Sequence, residues 1–558
     1  MTARSSRTKT LNIQTPERTI DSFLWNAVWL STQPSKLQNA VPGFAASIRS
    51  ELQQRGLQLN APQWDAWQRA MEYRLTLIWG PPGTGKSQTL RALIEGLCLA
   101  ADHMNKPLRL LLSASNYNAF DNVLIGTASW LAQNAVGSLL VYRLRSSSKP
   151  ALSLSTPIID VQNDASNPIV DVLLQELLSP KKIVIVAATP DQTFNFVTKG
   201  DRKETPLAEV FDVIVIDEAS QMDVGHAIPL ICAASQDSQV ILAGDPMQLA
   251  PIHAVPSPVG AEYLLGSVYT YIKERFPLPP GAEQVLQINY RSNGEIVSYG
   301  RMLCYGQSYQ SNSPQLRLAL NNFQTTQPAN WPGSAEWSSW LPTLLDPSNP
   351  VVCFCYSEGR SGQSNRFESQ TIASLLWLLW NAQLQQQLLN EVGNSAVSQG
   401  MHTWDTFWKR GVGVVTPHTA QRALIIGDLK RTFGATSQQG VLIREAVDTV
   451  ERFQGQQRDV IIASFAVGDP DLVAQEEEFL LSLNRFNVMT SRPRAKLIVL
   501  LSNEILDHLS NDSDILTNSR AVKMFAGSFC RNPQLISLPW RDGNSNIQQC
   551  TGILRTYP

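Results

Sequence analysis

The segment that most constrains this chain is residues 75–90, LTLIWGPPGTGKSQTL, where an apolar run meets Gly80, Gly85, Lys86 and Ser87 in the spacing GxxxxGKS. The apolar run reads as a buried strand and the residues after Ser87 as a helix, so the glycine-rich turn lies between the two. Glycines let successive backbone N–H groups point inward, and the start of the helix adds positive partial charge. A lysine then reaches terminal phosphates, while a Ser hydroxyl meets Mg²⁺. Gly80, Pro81, Pro82, Gly83, Thr84, Gly85, Lys86, Ser87 and Gln88 are therefore the candidate cradle for the polyphosphate of a nucleotide.

A second element completes the chemistry. FDVIVIDEASQ ends an apolar run in two acids, Asp217 and Glu218. Mg²⁺ beside phosphates needs a carboxylate, and an attacking water needs an acceptor for its proton. Asp217 suits the first task and Glu218 the second. Apolar runs at 75–79, 107–115, 182–189, 211–218 and 239–245 alternate with helical lengths, as do those at 350–356, 411–417, 459–465 and 496–502. Continuous apolar strands separated by helices indicate parallel sheets covered on both faces. The fold class is α/β, with two such sheets and one nucleotide loop.

Composition narrows the partners. Charged residues make up 16% of the 558 and the formal net charge is −2, so a nucleic-acid site must be a local groove and not a global positive field. The seven cysteines form no CxxC pair, and Cys353 and Cys355 read as reduced core thiols. The six histidines show no HExxH spacing, and no structural metal is expected. No apolar stretch is long enough to span a bilayer, and the Arg/Ser/Thr-rich start lacks an apolar signal core; a short disordered tail and a soluble, cytoplasmic protein are expected. Residues 19–56 read as helical with Trp25 and Trp29 as packing residues. Residues 126–181 read as an insertion or small subdomain, and 306–349 and 393–410 as loop-rich decoration. Residues 511–558 have weak periodicity.

The chain resembles the superfamily 1 helicases, and within them the 1B branch typified by the nonsense-mediated-decay RNA helicase (the AAA_12 type). The motifs that carry this likeness are LNAPQWDAW (59–67), GPPGTGKS (80–87), SASNYNAFDN (113–122), VAATPDQTF (186–194), IDEASQ (216–221), LAGDPMQLAPI (242–252), LQINYRSN (286–293), VDTVERFQGQQRD (447–459) and FNVMTSRPRAK (486–496). They stand in the family's order.

The resemblance implies two tandem RecA-like P-loop domains with small insertions. The expected bounds are 1–57 for an N-terminal helical segment, a reduced or truncated stalk; 58–285 for the first domain; 286–510 for the second; and 511–558 for an extension. It implies ATP and Mg²⁺, with Ser87 and Asp217 at the metal, and catalysis by Lys86, Asp217, Glu218, Gln248, Arg291 and Arg492. Gln63 is expected at the adenine, Tyr290 on the base, and Gly455 and Gln457 at the nucleotide. The family usually carries an acid, credited with holding the ribose, where Gln457 stands. Ser115, Asn116, Thr189, Thr416 and Thr449 are expected to contact a single strand of DNA or RNA. The implied activity is 5′-to-3′ translocation and unwinding driven by ATP hydrolysis in the interdomain cleft. The alternative is a strand-stimulated ATPase that clamps or remodels without processive unwinding.

Overall fold

Eight strands of the first half, β1 (Leu75–Trp79), β2 (Leu108–Ser113), β3 (Leu139–Arg145), β4 (Ile158–Gln162), β5 (Ile183–Ala187), β6 (Phe211–Ile216), β7 (Ala234–Gly244) and β8 (Glu283–Val285), pair in the order β4-β3-β5-β2-β6-β7-β1-β8, all parallel. The computed structural model describes residues 19–152, 157–164, 166–179, 182–198, 209–251, 266–320, 337–384 and 400–558. The expected N-terminal tail lies outside them.

Alternation along each strand decides the packing. In β2, Leu110 and Leu112 enter one core with Ile185 and Val213, while Leu111 enters the opposite core with Val184, Val186 and Ile214. A period of two with apolar residues at every position buries both faces, which is what a parallel sheet between helical layers requires. Among the described residues no helix is long and apolar enough to cross a membrane.

The second half repeats the plan. After a two-stranded pairing of β9 (Ile288–Asn289) with β10 (Gln310–Ser311), a sheet forms from β11 (Val351–Tyr356), β12 (Val412–Thr416), β13 (Val447–Thr449), β14 (Arg458–Ser464), β15 (Pro493–Ser502), β16 (Asn532–Arg541) and β17 (Ile547–Thr556). Its order is β13-β12-β14-β15-β11-β17-β16, parallel up to β11 and antiparallel beyond. Val352, Phe354 and Tyr356 of β11 face one core; Val351, Cys353 and Cys355 face the other. The two cysteines are free and buried, as their place in an apolar strand suggested.

The chain divides into two compact units: 1–81, 85–246 and 250–287 form the first, and 82–84, 247–249 and 288–558 the second.

Several expectations are corrected. Trp25 is 71% exposed and is not a packing residue. The helix Thr19–Trp25 stops there, and Asn26 caps a new helix, Ala27–Thr32, by accepting from Trp29 N, so the i, i+4 register is broken between the two indoles. The stretch 126–181 is no separate subdomain in its described part, since β3 and β4 extend the first sheet through β5. In 306–349, Leu341, Leu344 and Leu345 lie in the second unit's core on the helix Trp337–Leu345, and in 393–410, Phe407 and Trp408 are fully buried.

The C-terminal residues form the β16–β17 hairpin. Its turn is built on Asp542 Oδ1, which accepts from the N–H groups of Asn544 and Asn546 at 2.9 Å each. Gln370 ties the hairpin to the helix Arg366–Asn381 by donating to Arg541 O at 2.9 Å and accepting from Arg541 N at 2.8 Å.

Leu554 of β17 is fully buried opposite Phe354. Leu554→Ala is therefore expected to cost about 2–5 kcal/mol in chemical denaturation, a loss that a dispensable tail would not show.

Glu95 generates a second expectation. It sits in the interior of the helix Lys86–His103, fully buried, with neither carboxylate oxygen hydrogen-bonded among the described residues and Arg91 Nη2 only at 4.0 Å. Burial, against the weaker pull of Arg91, pushes its carboxyl from 4.5 up to about 7. Between those values the folded chain binds more protons than the unfolded one, so stability falls as pH rises through the window, by about 3 kcal/mol in full. Glu95→Gln should lose less stability than the parent between the two pH values. Equal slopes in denaturation would refute the assignment.

Candidate nucleotide site and nucleic-acid groove

β1 stops at Trp79, and the turn after it enters the left-handed region at Gly83 (φ +74°) and Gly85 (φ +80°), where a side chain would be strained. Gly85 is the N-cap of the helix that begins at Lys86. Gln63 lies over this cap: a Cβ on Gly85 would stand 2.4 Å from Gln63 Nε2. Gln63 is fixed by a reciprocal cap, its side-chain Oε1 accepting from Asn60 N at 3.0 Å and its backbone N–H donating to Asn60 Oδ1 at 2.9 Å. Pro81, Pro82 and Thr84 are buried, Ser87 is half-buried, and Gln88 turns away to donate to Gln58 O at 3.0 Å.

Because β7 lies between β6 and β1, the acids that end β6 sit one strand removed from the turn. Lys86 spans that gap. Its Nζ is 2.6 Å from Glu218 Oε1 and 3.3 Å from Asp217 Oδ1. Burial alone would drive the proton off Lys86, but the two carboxylates together outweigh it and hold its pKa above the usual lysine value. Asp217 is almost fully buried; burial is the largest influence on it and raises its carboxyl above the ordinary range despite Lys86. Glu218 takes φ +51°, a left-handed conformation that costs a non-glycine residue about 1–2 kcal/mol. Its Oε2 accepts from Gln221 Nε2 at 2.9 Å, and its N–H donates to Asp217 Oδ1 at 2.8 Å. The Ser87 hydroxyl and the Asp217 carboxylate are hard oxygen donors of the kind Mg²⁺ takes, so the residues present fit that ion.

In the second unit, Arg291 and Arg492 are each held by a glutamine. Arg291 donates from Nε to Gln457 Oε1 and from Nη1 to Ser491 O, both at 2.9 Å. Arg492 is buried, donating from Nη2 to Gln248 Oε1 at 2.6 Å and from Nε to Val488 O at 3.1 Å. Tyr290 is 47% exposed, and Gly455 adopts φ +81° in the turn before β14. Thr416 and Thr449 are register partners at the ends of β12 and β13. Thr416 Oγ1 is buried with no hydrogen-bond partner among the described residues.

Ser115, Asn116 and Thr189 converge on an open groove of about 520 Å³ at the carboxyl ends of β2, β5 and β6 in the first unit. Ser115 Oγ donates to Gln221 O at 3.1 Å, and Asn116 caps the helix Tyr117–Gln133 by accepting from Ala119 N at 3.0 Å. Thr189 is the N-cap of the helix Pro190–Val197 without a side-chain cap bond. The groove also contains Tyr117, Lys149 and His226, which motif reasoning missed. Lys149 follows three serines in what read as an insertion. Only the parallel pairing of β3 with β5 brings its turn over the strand ends.

Residues 269–504 match the family model AAA_12 and residues 63–254 the model AAA_19, each described as an AAA domain. The chain is 25% identical over 456 residues to the DNA replication ATP-dependent helicase/nuclease DNA2 of Homo sapiens, covering 79% of this chain and 37% of that protein. It is 24% identical over 500 residues to dna2 of Schizosaccharomyces pombe, covering 86% and 30%. To the DNA polymerase alpha-associated DNA helicase A of Saccharomyces cerevisiae it is 23% identical over 495 residues, covering 81% and 66%. The chain thus spans less than half the length of these two DNA2 relatives. Among solved structures, the DUF1998 helicase MrfA bound to DNA and AMPPNP aligns with a TM-score of 0.40 at 12% identity, covering 86% of this chain and 52% of that one.

Proposed function

The chain belongs to the superfamily 1 helicases of the AAA_12 type, and from that premise we propose that it is an ATP hydrolase that drives 5′-to-3′ movement along single-stranded DNA or RNA. The observation that carries the proposal is the Lys86–Asp217–Glu218 cluster at the ends of β1 and β6. A buried ammonium ion-paired to two acids is a site from which incoming phosphates can take over the lysine. The acids are then freed for their own tasks.

In this reading Lys86 binds the terminal phosphates, and the N–H groups of the glycine-rich turn bind the others. Ser87 and Asp217 hold Mg²⁺, which when bound neutralises phosphate charge. Glu218 accepts the proton of the attacking water and Gln248 orients that water. Arg291 and Arg492 place guanidinium charge where the transition state develops negative charge, an effect of roughly 10³ to 10⁵ in rate in trans-acting cases. Gln63, with one edge of its amide already used by the Asn60 cap, offers Nε2 to the adenine. Tyr290 stacks on the base, and Gly455 and Gln457 line the same nucleotide. Ser115, Asn116, Thr189, Thr416 and Thr449 contact the strand through hydroxyls and amides, groups weak enough to release at each step.

Three measurements test this. ATP hydrolysis should rise with oligo-dT or oligo-rU, and duplexes with a 5′ tail should open in preference to those with a 3′ tail. Strand-stimulated turnover without displacement would replace translocation by clamping. Lys86→Ala should lose both nucleotide binding and turnover. Glu218→Gln should keep nucleotide binding while turnover falls about 10²-fold or more. Undiminished hydrolysis in either variant would sink the assignment.

A further inference from the structure

We propose that the turn between β3 and β4 supplies a phosphate-binding cation, Lys149, seated on the Tyr117 ring, to the groove of the first unit that receives single-stranded nucleic acid. The inference rests on the functional reading above and adds to it a contact outside the family motifs.

Three cations lie close together on β3 and the turn after it: Arg143, Arg145 and Lys149. Two are already neutralised. Arg143 is gripped by Asp121 at 2.7 and 2.9 Å and by Asp160 at 2.8 Å. Arg145 pairs with the other oxygen of Asp160 at 2.5 Å. Lys149 is exposed, and among the described residues it has no carboxylate within ion-pair distance. Its Nζ stands 5.5 Å from the centre of the Tyr117 ring, and the Arg143 guanidinium lies 5.0 Å from the same ring.

The turn is anchored, so the charge has a defined place. Tyr117 Oη accepts from Ser146 N at 3.1 Å, Lys149 N donates to Ser146 O at 3.2 Å, and Arg145 Nη1 donates to Lys149 O at 3.0 Å. Tyr117 is the first residue of its helix and directly follows Ser115 and Asn116.

The electrostatics of the groove make the argument. Its described lining contains two carboxylates, Asp191 and Asp223, and a single Lys or Arg, which is Lys149. Asp223 is partnered by His226, whose Nδ1 lies 2.6 Å from Asp223 Oδ2. A polyanion entering a groove with those acids is opposed unless a cation offsets them, and Lys149 is the group in position to do so.

The experiment uses the full chain and fluorescein-labelled oligo-dT and oligo-rU, with affinity followed by anisotropy as salt is raised from about 50 to 200 mM. Each phosphate contact to a single strand contributes about 0.7 to the slope of log affinity against log salt. Lys149→Gln should weaken binding several-fold and make the slope shallower by about that amount, and Lys149→Arg should restore both. Lys106→Gln serves as the control for net charge, since this exposed residue precedes β2 at the opposite, amino end of the sheet. A slope in Lys149→Gln equal to that of Lys106→Gln, or no rescue by arginine, overturns the inference while leaving the functional reading intact. Failure of the parent protein to bind either strand overturns the functional reading, and the inference with it.

Discussion

One ion-paired cluster organises the first unit: a buried lysine held by two acids that end a strand two places away in the sheet. Neither partner could stand there alone. An isolated ammonium or carboxylate at this depth would give up its charge, because the desolvation cost of a lone buried ion runs to several kcal/mol. Together they offset each other's desolvation, and the cluster keeps an ammonium and two carboxyl groups poised at the carboxyl edge of the sheet. The cost appears elsewhere, in the left-handed backbone of Glu218 and in the raised carboxyl of Asp217. Strain and unfavourable titration at the same two residues fit a site shaped for a ligand and not for stability alone.

Parallel pairing is what lets one sheet serve several tasks. Every strand of the first sheet points its carboxyl end the same way, so the glycine-rich turn after β1, the groove residues after β2 and β5, and the acids after β6 all emerge on one edge. Helices cover both faces and leave that edge exposed, the position where crevices form in open α/β sheets. The turn after β3 belongs to the same edge. Lys149 is thus placed by topology as directly as Ser115 is placed by its motif.

This difference explains which features could be read from the residues. The glycine-rich turn, the Asp217–Glu218 pair and the buried strands carry local signals, in spacing or in runs of apolar side chains, and the structure sets Lys86 of the turn against both acids. Trp25 misled because the helix is restarted by a single capping asparagine, an event that erases an i, i+4 relation without altering composition. β3 and β4 were hidden because a serine-rich turn between them resembles an insertion. The terminal hairpin did carry a cue, Asp542-Gly543 at its turn, but prolines at 533 and 539 and the polar outer positions blur its alternation. Lys149 had no local signature at all; its importance comes from the neutralisation of Arg143 and Arg145, which only the pairing of side chains reveals.

Two arginines of the second unit are oriented in another way. Where the first unit sets a lysine against carboxylates, Arg291 and Arg492 rest on the amide oxygens of Gln457 and Gln248. A carboxylate in those places would form a bidentate pair and cancel the charge, and separating it again would cost far more than breaking a neutral hydrogen bond. An amide oxygen orients a guanidinium without itself cancelling the charge. Gln457 stands where the helicase family usually carries an acid, and its side chain is engaged with Arg291. The neutral residue at that position is therefore an orienting one: its amide oxygen accepts from Arg291 Nε at 2.9 Å and fixes where the guanidinium points.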